Sequence, residues 1–503
     1  MTTVFNAMAR SSKANGGHPL IAVIGHPNEG KSSVLSTLTE DDSVVVNDYP
    51  GETTHCQYFP VNLAGETVLE LVDTPGFQNP QRILDWMRDS GKTDDELLRA
   101  CLDTFENDPV FHHDCQLLQP LADGAAVIYV VDCSRPLLAV DQAEMEILRL
   151  VNKPRMAVIN FKDNDRDYLP DWEQAFRRHF NVIREFNAHQ ARFPERLALL
   201  ETLKAIQQSW EPQLNKAIAA FEHNWQQRRQ QVAEQILDYL EFALQLTIEQ
   251  KVSASGLSGS GSGGSGSSGL SGLGGLLGST SQAQKASNEQ ATEQALGHYQ
   301  KAIAEREQSL FGSIRQLYLH NHFNLTLPAQ SVLHQDLFAE TTWEVLGLTR
   351  KQVLLAAAGM GAGVGVTLEA AVGGLSAGLF ATAGALIGGG SAWFLGAELT
   401  RVKIKAIPLG GARVTVGPSK NPQFPVVLLD RALLFYREIA SHSHGNRTDT
   451  VADAGNQSVL RDVASEQQRQ LLKLANTLAE GKATDKDREA LASLILSWLE
   501  QLV

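Results

Sequence analysis

LIAVIGHPNEGKSSVLSTLT, Leu20 to Thr39, opens with a short apolar run, turns at Gly25 and continues after Lys31 as a helix-compatible segment. Gly25 to Ser32 satisfies GxxxxGK[ST], and it does so where that motif has meaning, between a strand and a helix start. Glycines let a backbone wrap a phosphate with its N–H groups turned inward. Lys31 offers a point charge to the β- and γ-phosphates, and Ser32 a hydroxyl to Mg2+. The phosphate-binding candidates are Gly25, His26, Pro27, Asn28, Glu29, Gly30, Lys31, Ser32 and Ser33.

Two further elements extend the site. TVLELVDTPG ends an apolar run with Asp73 and Gly76; the carboxylate can hold Mg2+ through water, and the Gly76 N–H can sense a γ-phosphate. MAVINFKD ends another run with Asn160 and Asp163 in N-x-x-D spacing. An Asp carboxylate there accepts from guanine N1–H and N2–H2, a pattern that adenine lacks, so this element selects GTP. Phe161 stands where a Lys stem usually packs over the base; an aromatic stacking there is the alternative. With AAVIYVVD and NVIREF, these runs place strands near 20–24, 56–62, 66–72, 125–131, 156–160 and 181–186. Short apolar runs separated by helix-sized segments predict an α/β P-loop domain with a mostly parallel sheet covered on both faces, spanning 19–192.

GHPNEGKSS, NDYPGETTH, DTPGF and NFKD, in this order and spacing, resemble the Era/TrmE-type translation-factor-related GTPases over about residues 18–190. The resemblance implies GTP and GDP as ligands and hydrolysis to GDP and phosphate. It implies that Thr53, with Thr54 as the alternative, ligates Mg2+ beside Ser32 and Asp73. It also implies that Asn28 is a monovalent-cation ligand, as in potassium-activated members, and that Asn187 and Ala188 support the base. The remainder resembles a bacterial family in which such a domain is joined to a C-terminal domain of unknown function. Lys31, Thr53, Gly76 and Asn28 are the candidate catalytic residues.

Phe77 follows the DxxG glycine where Ras-like enzymes carry a water-orienting Gln, and Gln78 is displaced by one residue. A phenyl ring cannot orient water by hydrogen bonding. Turnover is therefore expected to be slow unless K+, a partner or dimerisation through the GTPase domain supplies charge stabilisation.

Beyond this domain the pattern changes. Residues 1–18 read as a disordered lead-in, and 193–252 with 281–350 as a helical stalk or bundle, with Pro212 kinking or starting a helix. A Gly/Ser linker occupies 253–280, with eleven glycines between Ser253 and Thr280. Val353 to Ala397 carries a single charge, Glu369, and twelve glycines in repeated GxxxG spacing. Within 351–400 this predicts a hydrophobic helical hairpin, either meeting lipid or buried in a soluble core. A small β element and C-terminal helices fill 401–503.

The 43 Lys+Arg against 57 Asp+Glu leave a net charge of −14, which argues against nucleic acid as the main partner. Four irregularly spaced cysteines indicate neither a disulfide framework nor a zinc site. The expected location is cytoplasmic, associated with or inserted in the inner membrane. The sequence thus reads as a nucleotide switch joined to a membrane hairpin. A soluble regulatory or ribosome-assembly GTPase and a GTPase-gated pore-forming effector are the alternatives.

Overall fold

The computed structural model describes residues 18–26, 29–39, 55–63, 66–161, 166–187, 191, 193–252, 273–318, 333, 337–338, 342, 346, 403–407, 411–419, 421–442 and 458–503. The expected lead-in, the hydrophobic hairpin at 351–400 and most of the linker lie outside them. Among the described residues no helix is long and apolar enough to cross a membrane.

The chain divides into two compact units, the first built mainly from residues 1–227 and the second from 228–318, 325–439 and 450–503. The first unit runs β1 (Leu20–Ile24), α1 (Lys31–Thr39), β2 (Gln57–Leu63), β3 (Glu66–Asp73), α2 (Pro80–Asp89), α3 (Asp94–Phe105), α4 (His112–Ala122), β4 (Ala126–Val131), α5 (Ala139–Leu150), β5 (Arg155–Ile159), α6 (Leu169–His179), β6 (Val182–Glu185) and α7 (Phe193–Ile206). The sheet order is β2-β3-β1-β4-β5-β6. Every pairing is parallel except β2 with β3, a hairpin at one edge.

The period of two along each strand sends alternate side chains to two cores. Ala22, Ile24, Val127, Tyr129, Val131, Ala157 and Ile159 pack with α2 to α6 on one face. Ile21, Val23, Leu71, Ile128, Val130, Met156 and Val158 pack with α1 and α7 on the other. Burial on both faces is why these strands read as continuous apolar runs rather than as alternating ones. The long helix α8 (Glu211–Gln245) has Pro212 in its first turn, where the missing N–H costs nothing, so Pro212 starts the helix rather than kinking it. Leu214 and Ile218 of α8 join the second core, as do Leu199, Leu200 and Leu203 of α7. The first unit therefore uses segments that the sequence pattern assigns to the stalk.

The second unit contains the remainder of α8, β7 (Ile248–Val252), α9 (Leu273–Leu317), β8 (Lys403–Ile407), β9 (Gly411–Val416), α10 (Phe424–Ser441), α11 (Ser465–Ala479) and α12 (Asp485–Leu502). The β8–β9 hairpin matches the expected β element. The structure adds β7 as a third strand, in the order β7-β9-β8, where the sequence reads as helix. Five residues are too few for periodicity to speak, and β7 takes its backbone partners from distant β9. Helix α9 begins at Leu273, inside the stretch expected as linker.

Glu307 of α9 and Arg431 of α10 form an ion pair with both side chains almost wholly buried, Nε to Oε1 at 2.7 Å and Nη2 to Oε2 at 2.8 Å. Bidentate geometry offsets the desolvation of the two charges, but either charge alone would have no such compensation. Glu307→Gln or Arg431→Met is expected to destabilise the second unit by about 3–5 kcal/mol. The double Glu307→Leu/Arg431→Met variant should regain most of that loss; urea unfolding monitored by circular dichroism checks both.

Candidate nucleotide site

The loops that follow β1, β3 and β5 leave the carboxyl ends of parallel strands, the crevice where open α/β sheets bind ligands. Gly25 ends β1 against β4: a Cβ there would sit 2.2 Å from the Val130 carbonyl oxygen. Gly30, at φ +90°, packs against Asn160, whose Nδ2 would lie 2.2 Å from an added Cβ. Both glycines answer to close approach, and Gly30 also to a backbone conformation that side chains resist.

Asn160 is fully buried. Its backbone N–H donates to the Val131 carbonyl at 2.8 Å, and its Nδ2 donates to the Glu29 carbonyl at 3.0 Å. It thus braces the phosphate loop from the end of β5. Lys31 Nζ donates to the His26 carbonyl at 3.0 Å, placing the ammonium over its own loop. Ser32 Oγ donates to Asp73 Oδ2 at 3.1 Å. A hydroxyl and a carboxylate brought together beside a phosphate loop are the hard oxygen donors that Mg2+ prefers, so Ser32 and Asp73 fit that ion. Among the described residues no group of three or more His, Cys, Asp or Glu is placed to hold a metal by itself. Ser33 is buried in the first turn of α1. Thr74 Oγ1 donates to the Val23 carbonyl at 2.7 Å, and Gly76, two residues on, is buried. Asn187 lies just past β6, its carbonyl accepting from the Ala191 N–H at 2.7 Å. Pro27, Asn28, Thr53, Thr54, Asp163 and Ala188 lie outside the described residues.

A family model described as "50S ribosome-binding GTPase" matches residues 20–161. A second, described as "Domain of unknown function (DUF3482)", matches residues 173–496, well over half of the chain. The chain belongs to the DUF3482 family. Its residues 20–161 are a GTPase domain. GTPase Der of Geotalea daltonii is 32% identical over 148 residues, 29% of this chain and 28% of that protein. GTPase Der of Geobacter sp. is 28% identical over 150 residues, with the same two shares. The chain therefore spans under a third of the length of these curated relatives. Among solved structures, an Aquifex aeolicus Era variant bound to GDP and aluminium fluoride has TM-score 0.27 and 19% identity, covering 37% of this chain and 56% of that one. Era in complex with MgGDPNP and a stretch of 16S ribosomal RNA has TM-score 0.27 and 18% identity with the same coverage.

In this DUF3482 member three side chains of the motifs are fixed by contacts within the first unit. Glu29, a candidate phosphate-loop residue, aims its carboxylate away from the loop: it accepts from Arg135 Nη2 at 2.7 Å and from the Asp132 N–H. Phe161 is buried in the core under the Arg166 guanidinium, 4.7 Å from the ring centroid, so the ring is a packing residue rather than an open stacking face. Phe77 is likewise buried. In both cases the apolar ring finds more burial in the first core than it would at the surface of a loop.

Four residues escape the sequence motifs: Arg135, Asp141, Glu144 and Asp114. Asp141 takes Arg135 bidentately, at 2.8 Å for each bond, and is itself wholly buried. Burial works against the Arg135 charge, but the hydrogen bonds to Asp141 and the nearby Glu29 outweigh it and push its pKa up. Glu144 Oε2 accepts from the Tyr129 hydroxyl at 2.9 Å, and its Oε1 lies 3.2 Å from His26 Nδ1. A signal for two of them does exist: Asp141 and Glu144 interrupt the apolar face of α5 at i, i+3 spacing, which marks acidic residues facing inward.

The hydrogen bond to Glu144, opposed by desolvation and aided by the acidic charges of Glu144, Asp141 and Glu29, raises the His26 pKa above 6.5. Because the folded value exceeds the unfolded one, the contact stabilises fully below about pH 6.5 and is lost as pH rises through the folded pKa. In Glu144→Gln the main upward influence is gone, and desolvation is opposed only by the charges of Asp141 and Glu29. NMR titration of His26 should therefore report a pKa above 6.5 in the unaltered protein and a lower one in the variant.

Proposed function

We propose that the chain is a GTP-hydrolysing molecular switch whose nucleotide state is coupled to the helical region and to a hydrophobic hairpin at 353–397 that meets lipid. The observation that carries the nucleotide reading is the approach of Ser32 to Asp73, with Lys31 folded over a loop that Asn160 braces.

In this reading the Lys31 ammonium holds the β- and γ-phosphates, while N–H groups of the 25–32 loop line the phosphate path. Ser32 and Asp73, with Thr53, would hold Mg2+, and the ion would supply positive charge beside the phosphate oxygens. Asp163 takes the guanine N–H groups, and Asn187 and Ala188 support the base. The Gly76 N–H meets the γ-phosphate. Because Phe77 is buried and cannot reach the attacking water, Asn28 and a K+ ion, or a second copy docked through the GTPase domain, supply charge stabilisation. GTP hydrolysis followed by phosphate release should be slow in Na+ and several-fold faster in K+, with Asn28→Ala abolishing the difference. Equal rates in the two salts would remove the cation from the mechanism. Asp163→Asn is expected to lose GTP affinity by about 100-fold and to gain affinity for xanthine nucleotide, because an unpaired base-edge donor is costly. Retained GTP binding would exclude Asp163 as the guanine reader.

The lipid part of the reading rests on 45 residues with one charge, flanked by Arg350 and Lys351 on one side and Arg401 and Lys403 on the other. It places the protein at the inner face of the inner membrane. A second reading, a ribosome-associated GTPase with 353–397 buried, is favoured by the description of the family model that matches residues 20–161. Fractionation separates the two. Carbonate-resistant membrane association that is lost on deleting 353–397 supports the hairpin; co-sedimentation with ribosomal subunits in the absence of membranes supports the second reading.

A further inference from the structure

Asp114, in the first turn of α4, is wholly buried, and no motif contains it. Its oxygens turn away from α4 and onto the chain that leaves DTPG. Oδ1 accepts from the Gln78 N–H at 2.8 Å and from the Asn79 N–H at 3.2 Å, while Oδ2 accepts from Asn79 Nδ2 at 3.3 Å. Asn79 Nδ2 also donates to the Val110 carbonyl at 2.9 Å. An ionised carboxylate is acceptor-only with about four lone-pair sites, which suits three converging N–H donors. A side chain with no acceptor at this place would leave the Gln78 and Asn79 N–H groups unpaired.

The segment held in this way begins one residue after Phe77, whose ring is locked in the core. On the other side, Thr74 is tied to β1 through its hydroxyl on the Val23 carbonyl. Only Pro75 and Gly76 lie between these anchors, and proline fixes its own φ. The peptide that carries the Gly76 N–H is thus clamped at both ends. The same turn of α4 also reaches the start of β2, where Cys56 Sγ donates to the Gln116 carbonyl at 3.0 Å.

We propose that Asp114 is a positioning residue for GTP hydrolysis: by holding the Gln78 and Asn79 amides it fixes the Gly76 N–H where the γ-phosphate is met. This inference rests on the GTPase reading above. A donor fixed before the reaction needs no reorganisation as charge develops, and a displacement of about 1 Å at such a donor costs on the order of 100-fold in rate. GDP has no γ-phosphate, so its binding does not draw on the clamp.

The test uses the full chain and compares Asp114→Ala, Asp114→Asn and Asn79→Ala with the unaltered protein. Phosphate release from GTP is measured, together with the affinities for fluorescent GDP and for a non-hydrolysable GTP analogue. Asp114→Ala should lower kcat roughly 10- to 100-fold and weaken the analogue, leaving GDP affinity within about twofold. Asp114→Asn, whose Oδ1 can still accept both backbone N–H groups, should restore most of kcat. Asn79→Ala keeps both backbone N–H bonds to Asp114, removes the side-chain bonds to Asp114 and to the exposed Val110 carbonyl, and should lower kcat a few-fold with a nearly unchanged Tm, which keeps the test decisive if Asp114→Ala fails to fold. Equal losses of GDP and analogue affinity, or an unchanged kcat in folded Asn79→Ala and Asp114→Asn alongside an unchanged or unfolded Asp114→Ala, would overturn the proposal. Absence of any GTP hydrolysis by the unaltered protein would overturn the GTPase reading and this inference with it, whereas normal hydrolysis with unaffected variants overturns the inference alone.

Discussion

The Asn160 side chain lying on the Glu29 carbonyl is the contact on which the site depends. It joins the end of β5 to the loop after β1, two strands separated in the sheet by β4, and the Asn160 backbone is itself held by Val131 at the end of β4. The fit leaves no room for a side chain at position 30. A loop that must present several N–H groups to phosphate cannot satisfy them internally, so its shape has to be imposed from outside. Asn160 imposes it on the backbone, and Arg135 and the Asp132 amide impose it through the Glu29 carboxylate.

Buried carboxylates are the recurring means by which the first unit fixes its loops. Asp141 holds Arg135, Glu144 reaches His26, and Asp114 holds Gln78 and Asn79. A carboxylate without solvent is costly unless donors surround it, and each of these finds at least one partner on a loop that follows a sheet strand. The requirement runs both ways: the loop satisfies the carboxylate, and the carboxylate restricts the loop. Phe77 and Phe161 act alongside them by apolar burial, anchoring the chain immediately after DTPG and after Asn160. The two aromatic departures from the resembled motifs are therefore structural anchors rather than substitutes for the missing polar groups.

The amino-acid sequence by itself determined the six strands of the first unit, the phosphate-loop motif between β1 and α1, and the helical character of α8 through α12. Strand and helix periods are written in consecutive residues, and a phosphate loop is a local backbone shape with local glycine requirements. What only the tertiary structure decided was β7, the inward turn of Glu29 and Phe161, and the partners of Asp114, Glu144 and Glu307. Each of these depends on a group far away in the chain: β9 for β7, Arg135 for Glu29, Gln78 for Asp114, Arg431 for Glu307. The reason is that a desolvated charge or an unpaired strand edge is resolved by whichever donor the fold brings to it, and local sequence pattern carries no record of that donor.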